Sequence, residues 1–178
     1  MKNQNTYLPE DILVPCFGKD TKLIGVEIGV LGGSGTVAML DRLPNLTLYA
    51  IDPFQHFDNK AFEAERPQEY HDTNYTETLK RLKEFGDRVI LLKMKSDDAL
   101  NSVPDQIDFV FIDGDHSEDQ VLRDIENWQQ KLKPRSILAG HDYQIDYIAR
   151  IVNEKFGNKV KLGDDLLWWV EFENNKVI

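Results

Sequence analysis

Apolar positions along the chain fall into two kinds of run. Short, nearly continuous apolar stretches recur at Leu23–Ile28, Leu46–Ile51, Val89–Leu92, Ile107–Ile112 and residues 137–139. They cluster more than they alternate, which predicts strands buried on both faces, as in a parallel sheet. Between them the spacing turns helical. Residues 36–43 form one such segment, ended by Pro44. Residues 73–85 form another, with Tyr75, Leu79, Leu82 and Phe85 on one face and Gly86 as its stop. A short helix is expected from Ser96 to position 100. Ser117 opens a stronger one whose stripe is Val121, Leu122, Ile125, Trp128 and Leu132, and its Ser-Glu-Asp-Gln has the spacing of a capping box. Pro134 breaks the chain before the fifth strand, and residues 145–156 make a last amphipathic helix closed by Gly157. Residues 160–162 and 166–172 read as strands joined by Gly163, Asp164 and Asp165, a link short enough for only an antiparallel pair. Trp168 and Trp169 fall on opposite faces of that final strand and receive no role in a site.

Strands alternating with helices imply a doubly wound, mostly parallel α/β sheet of seven strands. It closes with an antiparallel C-terminal hairpin, and its ligands sit at the carboxyl ends of the strands. The whole chain, 1–178, is expected to be one domain. Residues 1–20 are its lead-in, with a short helix near 10–14. Residues 53–72 have no clean period but carry many aromatic and charged side chains. They follow the carboxyl end of a strand, and read either as a lid over a substrate or as a peripheral loop.

Composition narrows the partners. The formal net charge is −10, with no cluster of Lys or Arg. A phosphate backbone would be repelled, so nucleic acid is not the expected partner and a neutral or cationic small molecule is. Cys16 is the only cysteine, which excludes an internal disulfide and a thiolate metal cluster. No apolar run approaches the ~20 residues of a membrane helix, and the polar N-terminus lacks a signal core, so a cytoplasmic protein is expected.

The first strand runs into the chain's most informative stretch, Gly25 to Thr36: Gly-Val-Glu-Ile-Gly-Val-Leu-Gly-Gly-Ser-Gly-Thr. Glycines in a turn between strand and helix let the backbone approach a ligand, and the helix aims its free N–H groups at it. A dinucleotide fold shares this outline. Its Gly-x-Gly-x-x-Gly is out of phase here, however, since position 31 is Leu, and Glu27 would repel a pyrophosphate. No Lys follows the glycines, which excludes a P-loop. A second stretch, Asp-Phe-Val-Phe-Ile-Asp-Gly-Asp-His at 108–116, pairs with Ala-Gly-His-Asp-Tyr at 139–143. Both lie past the carboxyl ends of adjacent central strands, so their Asp and His side chains should converge. Such a cluster is costly unless a cation binds it. Carboxylates suit Mg²⁺ or Mn²⁺, and imidazole leans towards transition metals.

These residues resemble the class I S-adenosylmethionine-dependent methyltransferases, with their Rossmann-like fold, over nearly the whole chain from Leu23 onward. Within that superfamily the Asp/His stretches are similar to metal-dependent O-methyltransferases of the catechol and macrolide-sugar types. The resemblance implies that Glu27, Gly29, Gly33 and Gly35 cradle the methionine part of S-adenosylmethionine. It implies that Asp52 takes the ribose hydroxyls beside Pro53 and Phe54. It also implies that Ser96 or Asp97 meets the adenine, and that Asp113 faces the sulfonium. Asp113 and Asp142 match metal ligands for Mg²⁺ or another divalent ion. His141 stands where the family has an acidic or amide ligand, a departure. His116 matches the catalytic base and is expected near its ordinary pKa at neutral pH. Its bland reading is a helix-start residue making local bonds only, and Asp115 is expected merely to order the turn. The implied function is O-methylation of a small hydroxylated molecule such as a sugar. The rival readings are an NAD(P)-dependent oxidoreductase and a cofactor-binding protein without catalysis. Because the lead-in is short, the acceptor side falls to residues 53–72 or to a partner's surface, as in a homodimer.

Overall fold

The computed structural model describes residues 10–56 and 66–178. Helix α1 (Glu10–Phe17) precedes strand β1 (Leu23–Ile28), then α2 (Ser34–Arg42) and β2 (Leu46–Ile51). Helix α3 (Gln68–Leu82), β3 (Val89–Leu92), the short α4 (Ser96–Ala99) and β4 (Ile107–Ile112) follow. The chain continues with α5 (Glu118–Gln129), β5 (Leu132–Gly140), α6 (Asp146–Phe156), β6 (Lys161–Leu162), β7 (Trp168–Glu173) and β8 (Lys176–Val177).

The sheet order is β3-β2-β1-β4-β5-β7-β6, with β8 paired to β7. Strands β1 to β5 run parallel, and β7 runs antiparallel to β5, β6 and β8. This is the expected doubly wound sheet with its closing hairpin, plus one strand more than seven. The eighth arises because Asn174 and Asn175 both adopt positive φ (53° and 61°), the backbone of a two-residue hairpin turn. Sequence order reverses at β1 and β4, so the crevice beyond their carboxyl ends is the switch point where such sheets bind ligands.

All six residues of β4 are buried, which fits its unbroken apolar run. Alternate residues of the central strands feed two cores. Val26, Ile28, Val110 and Ile112 pack with Ile125 and Trp128 of α5 and with Ile148 and Val152 of α6. Phe109, Phe111 and Leu48 pack on the other face with Leu13 of α1, Met39 and Leu40 of α2, and Leu82 of α3. At the amino ends of the strands, Asp108 accepts bonds from the Ile24 amide (2.8 Å) and from Lys133 Nζ (2.7 Å). It ties three segments together and lies at the far end of β4 from the expected site.

Several boundaries differ from expectation. Helix α1 runs on past 14 to Phe17. Helix α3 begins at Gln68, five residues before the expected start, and Phe85 lies in the 3-10 turn that follows it. Leu79 and Leu122, assigned to buried stripes, are 47% and 40% exposed, while Thr78 and Asp124 are buried in those helices. Pro134 does not break the chain; it lies inside β5. The ladder to β4 skips from Leu132 to Ile137, so the missing N–H of Pro134 leaves no bond unmade. Of the expected lid, residues 57–65 lie outside the described residues. Residues 53–56 and 66–67 are irregular, and 68–72 begin α3.

Candidate active site

The glycine turn is pinned to both neighbouring strands. The Gly29 amide donates to Ile51 O (2.9 Å) and the Asp113 amide to Ile28 O (2.8 Å). Gly29 has φ +90, and a Cβ there would lie 1.9 Å from Asp113 O, so only glycine fits. Gly33 has φ +78 and rests against Thr78 of α3, whose hydroxyl donates to Leu31 O (2.8 Å). Arg81 donates to Ser34 Oγ (2.7 Å). Helix α3 therefore braces the turn from behind, a role its spacing did not announce.

Glu27 is 3% exposed and accepts a bond from Thr36 Oγ1 (2.5 Å). A Cβ on Gly35 would sit 2.8 Å from its other oxygen. Burial, against the Thr36 bond and with repulsion from Asp113 and Asp52, pushes its carboxyl up to about 8. A cation beside it would restore the charge.

Asp52 faces the turn. One oxygen accepts from the Val30 and Leu31 amides (2.9 Å each) and the other from the Phe54 amide (2.7 Å). A carboxylate has about four acceptor positions, so taking both hydroxyls of a diol means exchanging at least one backbone bond. Pro53 continues the chain, and Phe54 is buried with its ring 5.0 Å from that of Tyr75. Ser96 and Asp97 turn towards α5. The Ser96 hydroxyl donates to Asp124 Oδ1 (2.5 Å), Gln120 Nε2 binds both, and Asp97 accepts from Asn127 (3.1 Å). Thus the side chains assigned to adenine are engaged by the protein, and the Ser96 hydroxyl has no proton left to donate. Gln120 is spent in this network. The capping box consequently does not form, although Ser117 does occupy the N-cap position.

The second expected cluster assembles as foreseen. His116 Nε2 lies 2.6 Å from Asp142 Oδ2 and 3.5 Å from Asp113 Oδ1. His141 Nδ1 lies 3.3 Å and 3.8 Å from the same two carboxylates. One ligand atom each from Asp113, His141 and Asp142 can be chosen so that all lie within 4.8 Å of one another. Burial would lower the His116 pKa, but hydrogen bonds and charge from Asp113 and Asp142 raise it to about 9. That departs from the ordinary value expected for it, because the two carboxylates favour the charged ring. Burial raises Asp113, whereas Asp142 is held well below the carboxylate range by His116, His141 and Gln144 in spite of its burial. Asp115 orders the turn as anticipated, accepting from the Ser117 amide (2.9 Å).

Trp168, given no role from sequence, backs this cluster. It is buried opposite Gly140 in the β5–β7 register, and a Cβ on Gly140 would come within 2.5 Å of its ring. Its Nε1 donates to His141 O (3.1 Å). Together with Ile112, Val121, His141 and Ile148 it lines a cavity of about 10 Å³ beneath the carboxylates, room for a single water. Three non-glycine residues with positive φ, Leu31, Phe54 and Asp142, follow the ends of β1, β2 and β5. Such backbone outliers cluster at functional sites.

A family model described as a methyltransferase domain matches residues 26–143, which span every site residue expected from the sequence, while Trp168 lies beyond them. A curated protein from Sinorhizobium fredii (strain NBRC 101917 / NGR234), y4gI, itself uncharacterized, is 28% identical over 98 residues. These are 54% of this chain and 10% of that protein, so the chain spans about a tenth of its relative's length. Three solved structures share the fold. A precorrin-6y C5,15-methyltransferase from Geobacter metallireducens is 19% identical with a TM-score of 0.62, covering 86% of this chain and 72% of its own. An rRNA methylase from Streptococcus thermophilus is 15% identical with a TM-score of 0.61, covering 98% of both. An O-methyltransferase from Bacillus cereus, in complex with SAH, is 15% identical with a TM-score of 0.58, covering 84% and 74%. Their acceptors differ, and at these identities the likeness speaks for the fold alone.

Proposed function

The chain belongs to the methyltransferase-domain family, and on that premise we propose that it transfers a methyl group from S-adenosylmethionine to a hydroxyl of a small molecule such as a sugar. One observation carries this reading. The glycine turn with its two acids and the cluster of Asp113, His116, His141 and Asp142 meet at one crevice, where Gly29 abuts Asp113. This supports adjoining places for the cofactor's methyl and an acceptor oxygen.

In this reading the turn holds the methionine end of the cofactor, whose positive sulfonium and amino groups draw the charge back onto Glu27. Asp52 takes ribose hydroxyls with charge-assisted bonds, exchanging part of its grip on Val30 and Leu31. Positioning supplies much of the rate, because methyl and oxygen need only be held in line. His116 takes the proton of the acceptor hydroxyl. Asp113, His141 and Asp142 form the donor set for a divalent ion, Mg²⁺ in the family resembled. Such an ion would lower the pKa of a hydroxyl bound to it and offset the carboxylate charge that keeps His116 protonated. The net charge of −10 argues against an RNA acceptor.

The cofactor reading is tested by calorimetry with S-adenosylhomocysteine. Wild type binds, Asp52→Ala loses affinity at least about a hundredfold, and NADH shows no heat with either. Unchanged binding by the variant removes Asp52 from the site, and binding of NADH alone returns the chain to the oxidoreductases.

A further inference from the structure

We infer that the ion completing this site is a divalent transition metal rather than Mg²⁺, and that His141 makes the choice. The inference rests on the methyltransferase reading and concerns the chemistry of the donor set. Mg²⁺ binds as a hard ion through oxygen and keeps most of its water, whereas imidazole nitrogen is a good ligand for Mn²⁺ through Zn²⁺ and a poor one for Mg²⁺. Here two carboxylates converge with an imidazole nitrogen that is nearly as close to them (3.3 and 3.8 Å) as metal ligands are to one another.

His141 is held in that place from several sides. Its amide donates to Ile112 O (3.1 Å), at the end of the strand that carries Asp113. Its carbonyl accepts from Trp168 Nε1 (3.1 Å), and the indole lies where a Cβ on residue 140 would be. Its side chain is 10% exposed. The next residue, Asp142, turns through φ 60° and has its carboxylate fixed by Gln144 (2.8 Å). A ring fixed at its backbone on both sides and aimed at two carboxylates is preorganised as a ligand, and partners of this kind set metal affinity by about 10- to 100-fold. Nitrogen in place of a third oxygen is the only chemical difference from an all-oxygen site, so exchanging it should exchange the preference.

The test uses the full chain saturated with S-adenosylhomocysteine. Co²⁺ and Mg²⁺ are titrated separately by calorimetry, with the visible absorption of Co²⁺ as a second readout of nitrogen ligation. Wild type should bind Co²⁺ at least about a hundredfold more tightly than Mg²⁺. His141→Asp should bring the two within about tenfold and shift the Co²⁺ bands, while its S-adenosylhomocysteine affinity and melting temperature certify the fold. Trp168→Phe, which keeps the ring and removes the N–H, should weaken Co²⁺ about tenfold without changing S-adenosylhomocysteine affinity. Comparable affinities for the two ions in wild type, or a Co²⁺ preference that survives His141→Asp, overturns the inference. If wild type binds S-adenosylhomocysteine but neither ion, the metal part of the proposed function falls with it and the cofactor part stands.

Discussion

Asp124 shows what a single residue contributes that patterning does not foretell. The stripe of α5 is readable at Val121, Ile125 and Trp128. The charged residue between them belongs outside by its chemistry, yet it is 1% exposed. Burial pushes its carboxyl up to about 6 against the bonds from Ser96 and Gln120, and its Oδ2 has no hydrogen-bond partner among the described residues. The unfolded group ionises near 3.8. As pH rises from about 4 to 6 the unfolded chain therefore releases a proton that the native state keeps, and stability falls over that window. Asp124→Asn has no proton to keep. Its stability relative to wild type should rise by about 2–3 kcal/mol between pH 4 and pH 7, measured by urea unfolding at each pH. A flat difference would mean that the group is ionised in the native state throughout. The positions of Glu27, Asp52, Asp113, His116, His141 and Asp142 around the crevice were legible because they stand near glycines or at strand ends. Trp168 was not, since its partner is a backbone carbonyl 27 positions away.

At the level of elements, strands were read more faithfully than helices. Four of the five parallel strands have the expected bounds because a two-sided buried strand is simply an apolar run. Helix α3 was misjudged because only Leu82 of its expected stripe reaches the core, while its other buried residue, Thr78, faces the turn it braces. Thr78→Val keeps the shape and removes the bond to Leu31 O. It should cost about 1 kcal/mol in denaturant unfolding and weaken S-adenosylhomocysteine binding as the turn loosens. A variant with the stability loss but undiminished affinity would show that α3 supports the fold and not the turn. Pro134 was read as a break because a proline cannot donate to a ladder. The irregular register of β5 against β4 provides the one place where it need not.

The doubly wound sheet and its closing hairpin follow from the alternation of strand and helix, and the order around β1 is a finding of the structure. Strands β1, β4 and β5 lie inside the sheet between two helical layers, while β3 and β6 are its edges. Amide hydrogen exchange should be slowest in β1 and β4 and faster by orders of magnitude in β3 and β6, since edge strands open without disrupting either core. Uniform protection would mean that the sheet opens only as a unit. The antiparallel β7 has a further effect. Everything that shapes the turn at Gly29 to Gly35 is supplied by residues 23–92 and the Asp113 loop. The cluster around His141, by contrast, awaits Trp168, which reaches it only by reversing direction along β5. A chain emerging from the ribosome therefore presents the glycine turn and the Asp113 loop before the strand that fixes His141. The Asp/His cluster is thus the last part of the crevice whose supports are synthesised.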